Sequence, residues 1–446
     1  MSALEYAIDS VSPQRLVKTC MKQRGQNLLC TDLVGQAVSV NLDKFCDIYI
    51  VGAGKAAAGM SAAVCGILKH RISGGTIIVP YNSRYSGSPI SIREASHPIP
   101  DKAAVRATEE IINILKRTTE SDLVIALVSG GGSALMTLPR KGISLSEKQS
   151  ITKQLLSSGA SIQEMNVVRK HLSQVKGGQL ISSLKSGTTV ITLIISDVVG
   201  DRLDIVASGP TVPDASTFKD ARMILKKYDI WKGSTDRLSS SVKKIITNGI
   251  KGIIKDTPKP RDPSFGNVHN ILIGNNALVC SYAARYFETK RLKVKNLGSH
   301  FQGEARGFGL YVAKLASSFA GPRKPSVFLL GGETTVRLNK TGQNGRGGRN
   351  QEAALVAAIN SHFGKNSDIT ICCIGTDGID GNSRAAGAVV TPRTISLIAE
   401  KRIQLKSYLE KHDSYNAFKK LHSNIMTGRT GTNLNDITIV CNLTQK

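Results

Sequence analysis

The groups best suited to grip an anion are gathered in one stretch of the 446-residue chain, Gly342 to Gly381, which reads GQNGRGGRNQEAALVAAINSHFGKNSDITICCIGTDGIDG. Gly342, Gly345, Gly347 and Gly348 surround Arg346 and lead into Arg349. The backbone can therefore approach a ligand closely while two guanidiniums offer planar forks, which suits phosphate or carboxylate. A helix is expected to follow at once, with Asn350 as its N-cap, Glu352 in its first turn and an alanine-rich body to about Asn360. Its positive end would face the same anion. Asp368 to Ile374 reads as a buried strand that empties into GTDGIDG, placing Asp377 and Asp380 at its carboxyl end.

Two further glycine loops follow apolar strands. Cys46 to Val51 runs into GAGKAAAGMSAAV, where Gly52 and Gly54 are followed by Gly59, one position late for a dinucleotide fingerprint. Lys55 lacks the glycine spacing and the following Ser or Thr of a P-loop. What remains is a helix N-terminus carrying a lysine, which suits a phosphate oxygen or a carboxylate. Asp122 to Val128 runs into SGGGSALMTLP, in which Ser129, Gly130, Gly131, Gly132 and Ser133 can form a nest of backbone N–H groups. The chain contains no GxSxG, which argues against a hydrolase nucleophile at Ser133. Asp197 lies just past the β-branched strand Thr189 to Ile195, and Glu333 just past Ser326 to Leu330, where open α/β sheets hold ligands. A histidine such as His171 is more often a packing residue than a catalyst, and with no partner visible in the sequence it is left unassigned.

The elements that must position these loops alternate strand and helix throughout, the pattern of a parallel α/β sheet. The proline-rich stretch KDTPKPRDPSFG, Lys255 to Gly266, reads as a linker between an N-terminal domain, 1–254, and a C-terminal domain, 267–446. With 59 Lys and Arg against 33 Asp and Glu, the net charge of +26 favours acidic or polyanionic partners. Aromatic residues make up only 5%, and basic residues are spread along the whole chain, which disfavours a nucleic-acid platform. Eight cysteines without a CxxC pair read as buried small hydrophobes of a reducing compartment. MSALEYAIDS lacks the features of a secretory or transit peptide, and no apolar run approaches the roughly 20 residues of a membrane span. The expectation is a soluble, cytoplasmic protein.

Taken in order, GAGKA at Gly52, HPIPD at His97, SGGGSAL at Ser129, EMNVVRKHLS at Glu164, ISDVVGD at Ile195, ASGPTVPD at Ala207, GGETTV at Gly331, GRGGRNQE at Gly345, GTDGIDG at Gly375 and TGTNLND at Thr430 resemble the class II glycerate kinases with a C-terminal MOFRL domain. The resemblance spans nearly the full chain; Arg346, often lysine in the family, and NSRAAGA after Gly381, often PTDAAGA, are small departures. It implies a larger Rossmann-like N-terminal domain with a parallel sheet and an α/β MOFRL-type domain enclosing a cleft, where ATP phosphorylates D-glycerate, generally at the 2-hydroxyl. Lys55, Arg349 and Asp377 fall in motifs that line that cleft. Phosphoryl transfer depends mainly on positioning, Mg²⁺ and cationic stabilisation. Lys55 and Arg349 would neutralise the phosphoryl group or hold the glycerate carboxylate, while the Gly130 to Gly132 nest cradles phosphates. Asp197, Glu333, Asp377 and Asp380 are candidates for Mg²⁺ ligation and for orienting the hydroxyl. A nicotinamide-dependent hydroxypyruvate reductase is the rival reading, disfavoured by the imperfect GxGxxG and by the lack of an acid about 20 residues beyond it.

Overall fold

Asp122–Val128 is buried at every position, as a strand covered on both faces must be. In the computed structural model, which describes residues 1–83, 89–231, 238–319, 326–338, 342, 344–361 and 368–442, this strand lies inside a six-stranded sheet. Gln343, within the loop expected to grip an anion, falls outside the described residues. The chain forms two compact units, Pro13–Ile273 and Met1–Ser12 with Gly274–Lys446.

The first unit opens with a small antiparallel sheet of β1 (Met21–Arg24), β2 (Asn27–Thr31) and β3 (Ala37–Asn41). Its main sheet comprises β4 (Asp47–Ala53), β5 (Gly74–Pro80), β6 (Ser91–Ala95), β7 (Asp122–Val128), β8 (Thr189–Ile195) and β9 (Val268–Gly274), in the order β6-β5-β4-β7-β8-β9. The pairings from β6 through β8 are parallel. Counted from β4, this is the doubly wound order 3-2-1-4-5-6, whose direction reverses between β4 and β7. Both glycine loops of this unit therefore emerge at the switch point, where such sheets bind ligands. The helix Lys102–Leu115, capped by Asp101 through the Ala104 N–H at 2.9 Å, buries Ala104, Ala107, Ile111 and Leu115 against Val51, Ile78 and Ala126. A separate helical cluster built on Ile151, Leu155, Val168, Leu172, Phe218 and Val242 fixes the helix Ile162–His171. There His171 is buried between the Val167 carbonyl, Asp256 and the Phe218 ring, partners that the sequence did not show.

The second unit has a mixed sheet of β10 (Val294–Asn296), β11 (Val327–Gly332), β12 (Ile369–Gly375), β13 (Gly387–Val390), β14 (Asn424–Ile425) and β15 (Asp436–Asn442), ordered β10-β11-β15-β12-β13-β14. Only β10 and β11 run parallel; β15 enters antiparallel between β11 and β12. Asp436 at its start thus lies beside the carboxyl ends of both neighbours, paired with Gly332 and Gly375.

The division falls elsewhere than the proline-rich stretch. β9 sits beside β8, so residues 268–273 complete the sheet of the first unit. The stretch before it is held to that unit: Asp214 N–H donates to the Pro258 carbonyl at 2.8 Å and Thr257 Oγ1 to Asp214 at 3.0 Å. Its prolines stiffen a packed connection. Residues 1–12 go to the second unit because Tyr6 packs on Tyr282 and Tyr286, at 6.3 and 5.7 Å between rings.

Asp214 is buried and also receives Lys170 Nζ at 3.3 Å and Ser216 Oγ at 2.8 Å. Asp214→Ala would leave a buried ammonium with a weakened partner set. We expect a loss of about 3–5 kcal/mol, read as a lower urea midpoint; an unchanged midpoint would show that this hub contributes nothing.

Candidate active site

In the first unit the β4 and β7 loops interlock. Gly54 has φ +143°, and a Cβ there would lie 2.0 Å from Ser129 Oγ. Only glycine allows the approach. Ser129 Oγ in turn accepts the Ala56 N–H at 3.1 Å, serving the first turn of the helix Ala57–Leu68, whose own N-cap residue, Ala56, has no side chain for the task. Lys55 N–H donates to the Gly130 carbonyl at 2.8 Å, and its Cγ lies 3.4 Å from where a Gly131 Cβ would be. The His97 ring flanks the same spot at 3.0 Å.

Gly131, at φ +83°, starts the short turn Gly132–Leu135. Gly132 N–H is satisfied by the Ser129 carbonyl at 3.1 Å, whereas the N–H groups of Gly130, Gly131 and Ser133 have no acceptor among the described residues. Successive unpaired N–H groups beside a lysine form a cradle for an anion. The expected nest and Lys55 are thus brought together.

Around Ser133 lies a network that the sequence reading missed. Lys176, 1% exposed, places Nζ 2.6 Å from the Ser133 carbonyl, 3.1 Å from Ser133 Oγ and 3.4 Å from the Met136 carbonyl. Ser133 Oγ is 2.7 Å from Ser208 Oγ, which is 2.9 Å from Asn166 Oδ1. Ala207, Ser208 and Gly209 all take positive φ, and this left-handed run is pinned by Gly177 and Gly178 N–H groups donating to the Ser208 and Gly209 carbonyls. The EMNVVRKHLS and ASGPTVPD motifs held Asn166 and Ser208, but residues this far apart in the chain give no sign of meeting. Asp197 is half-buried beyond β8, as its position implied.

In the second unit Arg349 opens the helix Arg349–Asn360. Its fork does not wait for a ligand alone. Nε and Nη2 donate to the two Asp436 oxygens at 2.6 and 3.0 Å, and Nη1 to Glu333 at 2.8 Å. These bonds use three of the five guanidinium N–H groups. Burial works against the charge, yet Asp436 and Glu333 outweigh it and hold the guanidinium above its usual basicity. Asp436, the last residue of the TGTNLND motif, is the anion that the arginine loop already holds.

Asn350 is the second residue of that helix, not its cap; Gly348 is the N-cap and has no side chain for it. Asp380 supplies the missing acceptors. Its oxygens receive Asn350 N–H at 3.1 Å and Gln351 N–H at 2.8 Å, and Asn350 Nδ2 also reaches Asp436 at 2.9 Å. Only 2% exposed, Asp380 has its carboxyl pushed up to about 7 by burial, against the pull of those two N–H groups. It is a helix cap from another loop. Asp377 is half-buried, with Oδ1 accepting Ile379 N–H at 3.2 Å; Asp377 and Asp436 both border Gly375. Arg346 lies apart, its guanidinium 4.8 Å over the Tyr415 ring. Among the described residues no group of three or more His, Cys, Asp or Glu is arranged to hold a metal ion. None of their helices is long and apolar enough to cross a membrane.

A doubly wound sheet with an anion nest and a lysine at its switch point, joined in one chain to a carboxylate-braced arginine at a helix start, defines an α/β enzyme that handles anions. The comparisons narrow the class. Residues 1–247 match the family described as Domain of unknown function (DUF4147), and residues 326–436 the MOFRL family. The chain is 42% identical to a glycerate 2-kinase of Pyrococcus horikoshii over 88% of its length and 86% of the relative's. A crystal structure of a Thermotoga maritima glycerate kinase superposes with a TM-score of 0.83 at 36% identity, covering 99% of this chain and 98% of that one. An Agrobacterium vitis relative, 39% identical over 87% of this chain and 97% of its own, is provisionally named a hydroxypyruvate reductase. The chain belongs to the class II glycerate kinases with a MOFRL domain.

Removing the borrowed cap should weaken the helix that carries Arg349. Asp380→Ala is expected to cost about 1–2 kcal/mol, seen as a lower thermal midpoint of the second unit. An unchanged midpoint would mean that the cap is dispensable.

Proposed function

We propose that this protein transfers the γ-phosphoryl group of ATP to the 2-hydroxyl of D-glycerate, releasing ADP. The observation that carries this reading is the nest of N–H groups at Gly130, Gly131 and Ser133, unpaired among the described residues, beside Lys55 at the switch point of the sheet. Backbone donors of this kind hold phosphate oxygens in a fixed array, and a lysine adds a mobile point charge. Phosphoryl transfer asks for little else than such positioning and charge stabilisation. The names of the relatives support both the substrate and the 2-position.

In the second unit the planar Arg349 guanidinium is oriented by Asp436 and Glu333, leaving two N–H groups for a carboxylate or a phosphoryl oxygen. Lys55, Arg349 and Asp377 are the catalytic candidates; Gly52, Gly54, Ser129 to Ser133, Asp197, Glu333 and Asn350 shape the binding surfaces. Magnesium usually binds proteins through one or two carboxylates together with substrate phosphates, so a preformed cluster is not required. Asp380 is engaged at the helix start; Asp377 and Glu333, the latter while also accepting from Arg349, are the Mg²⁺ candidates of the second unit, and Asp197 is that of the first. When bound, the ion would neutralise charge on the phosphate oxygens.

Incubation with D-glycerate, ATP and Mg²⁺, followed by ³¹P NMR, should show ADP and 2-phosphoglycerate. Exclusive formation of the 3-phosphate would overturn the position; reduction of hydroxypyruvate by NADH or NADPH without kinase activity would overturn the reaction. Arg349→Lys cannot reproduce the fork on Asp436, and is expected to lower kcat/KM by about 10² or more, the usual effect of losing one electrostatic stabiliser. Arg346→Lys keeps its charge over Tyr415 and should be nearly silent. Equal losses at both positions would reduce Arg349 to generic positive charge.

A further inference from the structure

Of the expected carboxylates, Asp380 is buried at a helix start, so it is poorly placed to accept a proton from an attacking hydroxyl. The first unit holds another acceptor. Lys176 is 1% exposed and, among the described residues, meets no carboxylate: its only partners are two backbone carbonyls and the Ser133 hydroxyl. The charges that act on it are those of two cations. Lys148, buried on the helix Leu145–Ser157, and Arg169, on the helix Ile162–His171, both work against its ionisation, while neighbouring Lys170 takes Asp204 and Asp214 for itself. Burial and these cations hold the Lys176 amine well below the usual basicity of lysine.

A neutral amine has two N–H groups and one lone pair, which matches two carbonyls and one hydroxyl. Hydrogen-bond direction along the chain Lys176, Ser133, Ser208, Asn166 is then set by the charge on Lys176. With an ammonium, Lys176 donates to Ser133, Ser133 to Ser208 and Ser208 to Asn166 Oδ1, the direction that this amide orientation fixes. With a neutral amine and the Asn166 amide turned over, Asn166 donates to Ser208, Ser208 to Ser133 and Ser133 to Lys176. Every hydroxyl is satisfied in both states, so the chain can take up one proton without leaving a hydroxyl unpaired. Ser133 is the half-exposed member, and its own N–H belongs to the nest beside Lys55.

We propose that Ser133 and Lys176 form a proton-accepting pair that relieves the glycerate hydroxyl of its proton during phosphoryl transfer, an inference that rests on the glycerate kinase reading. As the glycerate oxygen bonds to the γ-phosphorus, the bridging P–O bond breaks and its electron pair leaves with ADP. The hydroxyl proton passes to Ser133 Oγ, and the Ser133 proton passes to the lone pair of Lys176 Nζ. After product release the ammonium returns a proton through Ser133 to solvent. Ser133 is the catalytic residue of the pair; Lys176 acts through it.

The full-length wild type, Ser133→Ala and Lys176→Met are compared in kcat and KM across pH with D-glycerate and MgATP. Because the active form is the neutral amine, wild-type kcat should fall as pH drops through the Lys176 pKa, with unit slope. Lys176→Met should lose that limb and about 10² in kcat, with KM changed far less, and Ser133→Ala should lose a similar factor. The ¹⁵N signal of Lys176 Nζ, assigned by its loss in Lys176→Met, should pass from ammonium to amine at a pH well below that of an ordinary lysine. A Lys176 that stays an ammonium up to pH 9, or a Lys176→Met enzyme that keeps the wild-type profile, overturns the proposal alone. A wild type that never phosphorylates D-glycerate overturns the functional reading and the proposal with it.

Discussion

The second unit turns on one half-buried arginine and the two carboxylates that hold it. Arg349 stands at the start of a helix whose positive end would repel it, yet it is held there because Asp436 meets its fork with both oxygens and Glu333 takes a third N–H. That pairing explains the sheet order. β15 must enter between β11 and β12 to bring the Asp436 carboxylate to the ends where Glu333 and Asp377 emerge. It also explains the borrowed cap: with an arginine and no capping side chain at the helix start, Asp380 has to supply the acceptors.

The first unit solves the opposite problem. Lys176 and Lys148 are buried and, among the described residues, have only neutral oxygens as partners, Lys148 Nζ on Thr137 Oγ1 at 3.1 Å. Burial of an unpaired charge is costly unless the group sheds it or a ligand anion arrives. Accordingly Lys148 falls to about 7 and Lys176 well below its usual range. A site that will receive phosphates can hold positive groups in reserve around neutral oxygens, and the unpaired N–H groups at Gly130, Gly131 and Ser133 express the same bias.

Much of this was legible in the sequence because strands and glycine loops are local. The carboxyl ends of β4, β7, β8, β11 and β12, and the side chains just past them, follow from apolar runs broken by glycine. Pairing across the chain was not legible. Asp436 lies 87 residues from Arg349, and nothing in LND436 distinguishes a carboxylate that braces an arginine from one in a turn. Lys176, before two glycines, reads like a solvated turn lysine until the fold buries it. Prolines between 255 and 266 signal stiffness, and stiffness served a packed connection inside one unit.

If Asp436 acts by holding Arg349 in position, the two residues form one functional unit and their losses must not add. The direct measurement is a double-mutant cycle in kcat/KM for D-glycerate phosphorylation with Asp436→Asn, Arg349→Met and the combined variant, each checked for folding by circular dichroism. The account predicts that Asp436→Asn costs little further activity once Arg349 has been removed. Losses that multiply independently would contradict it.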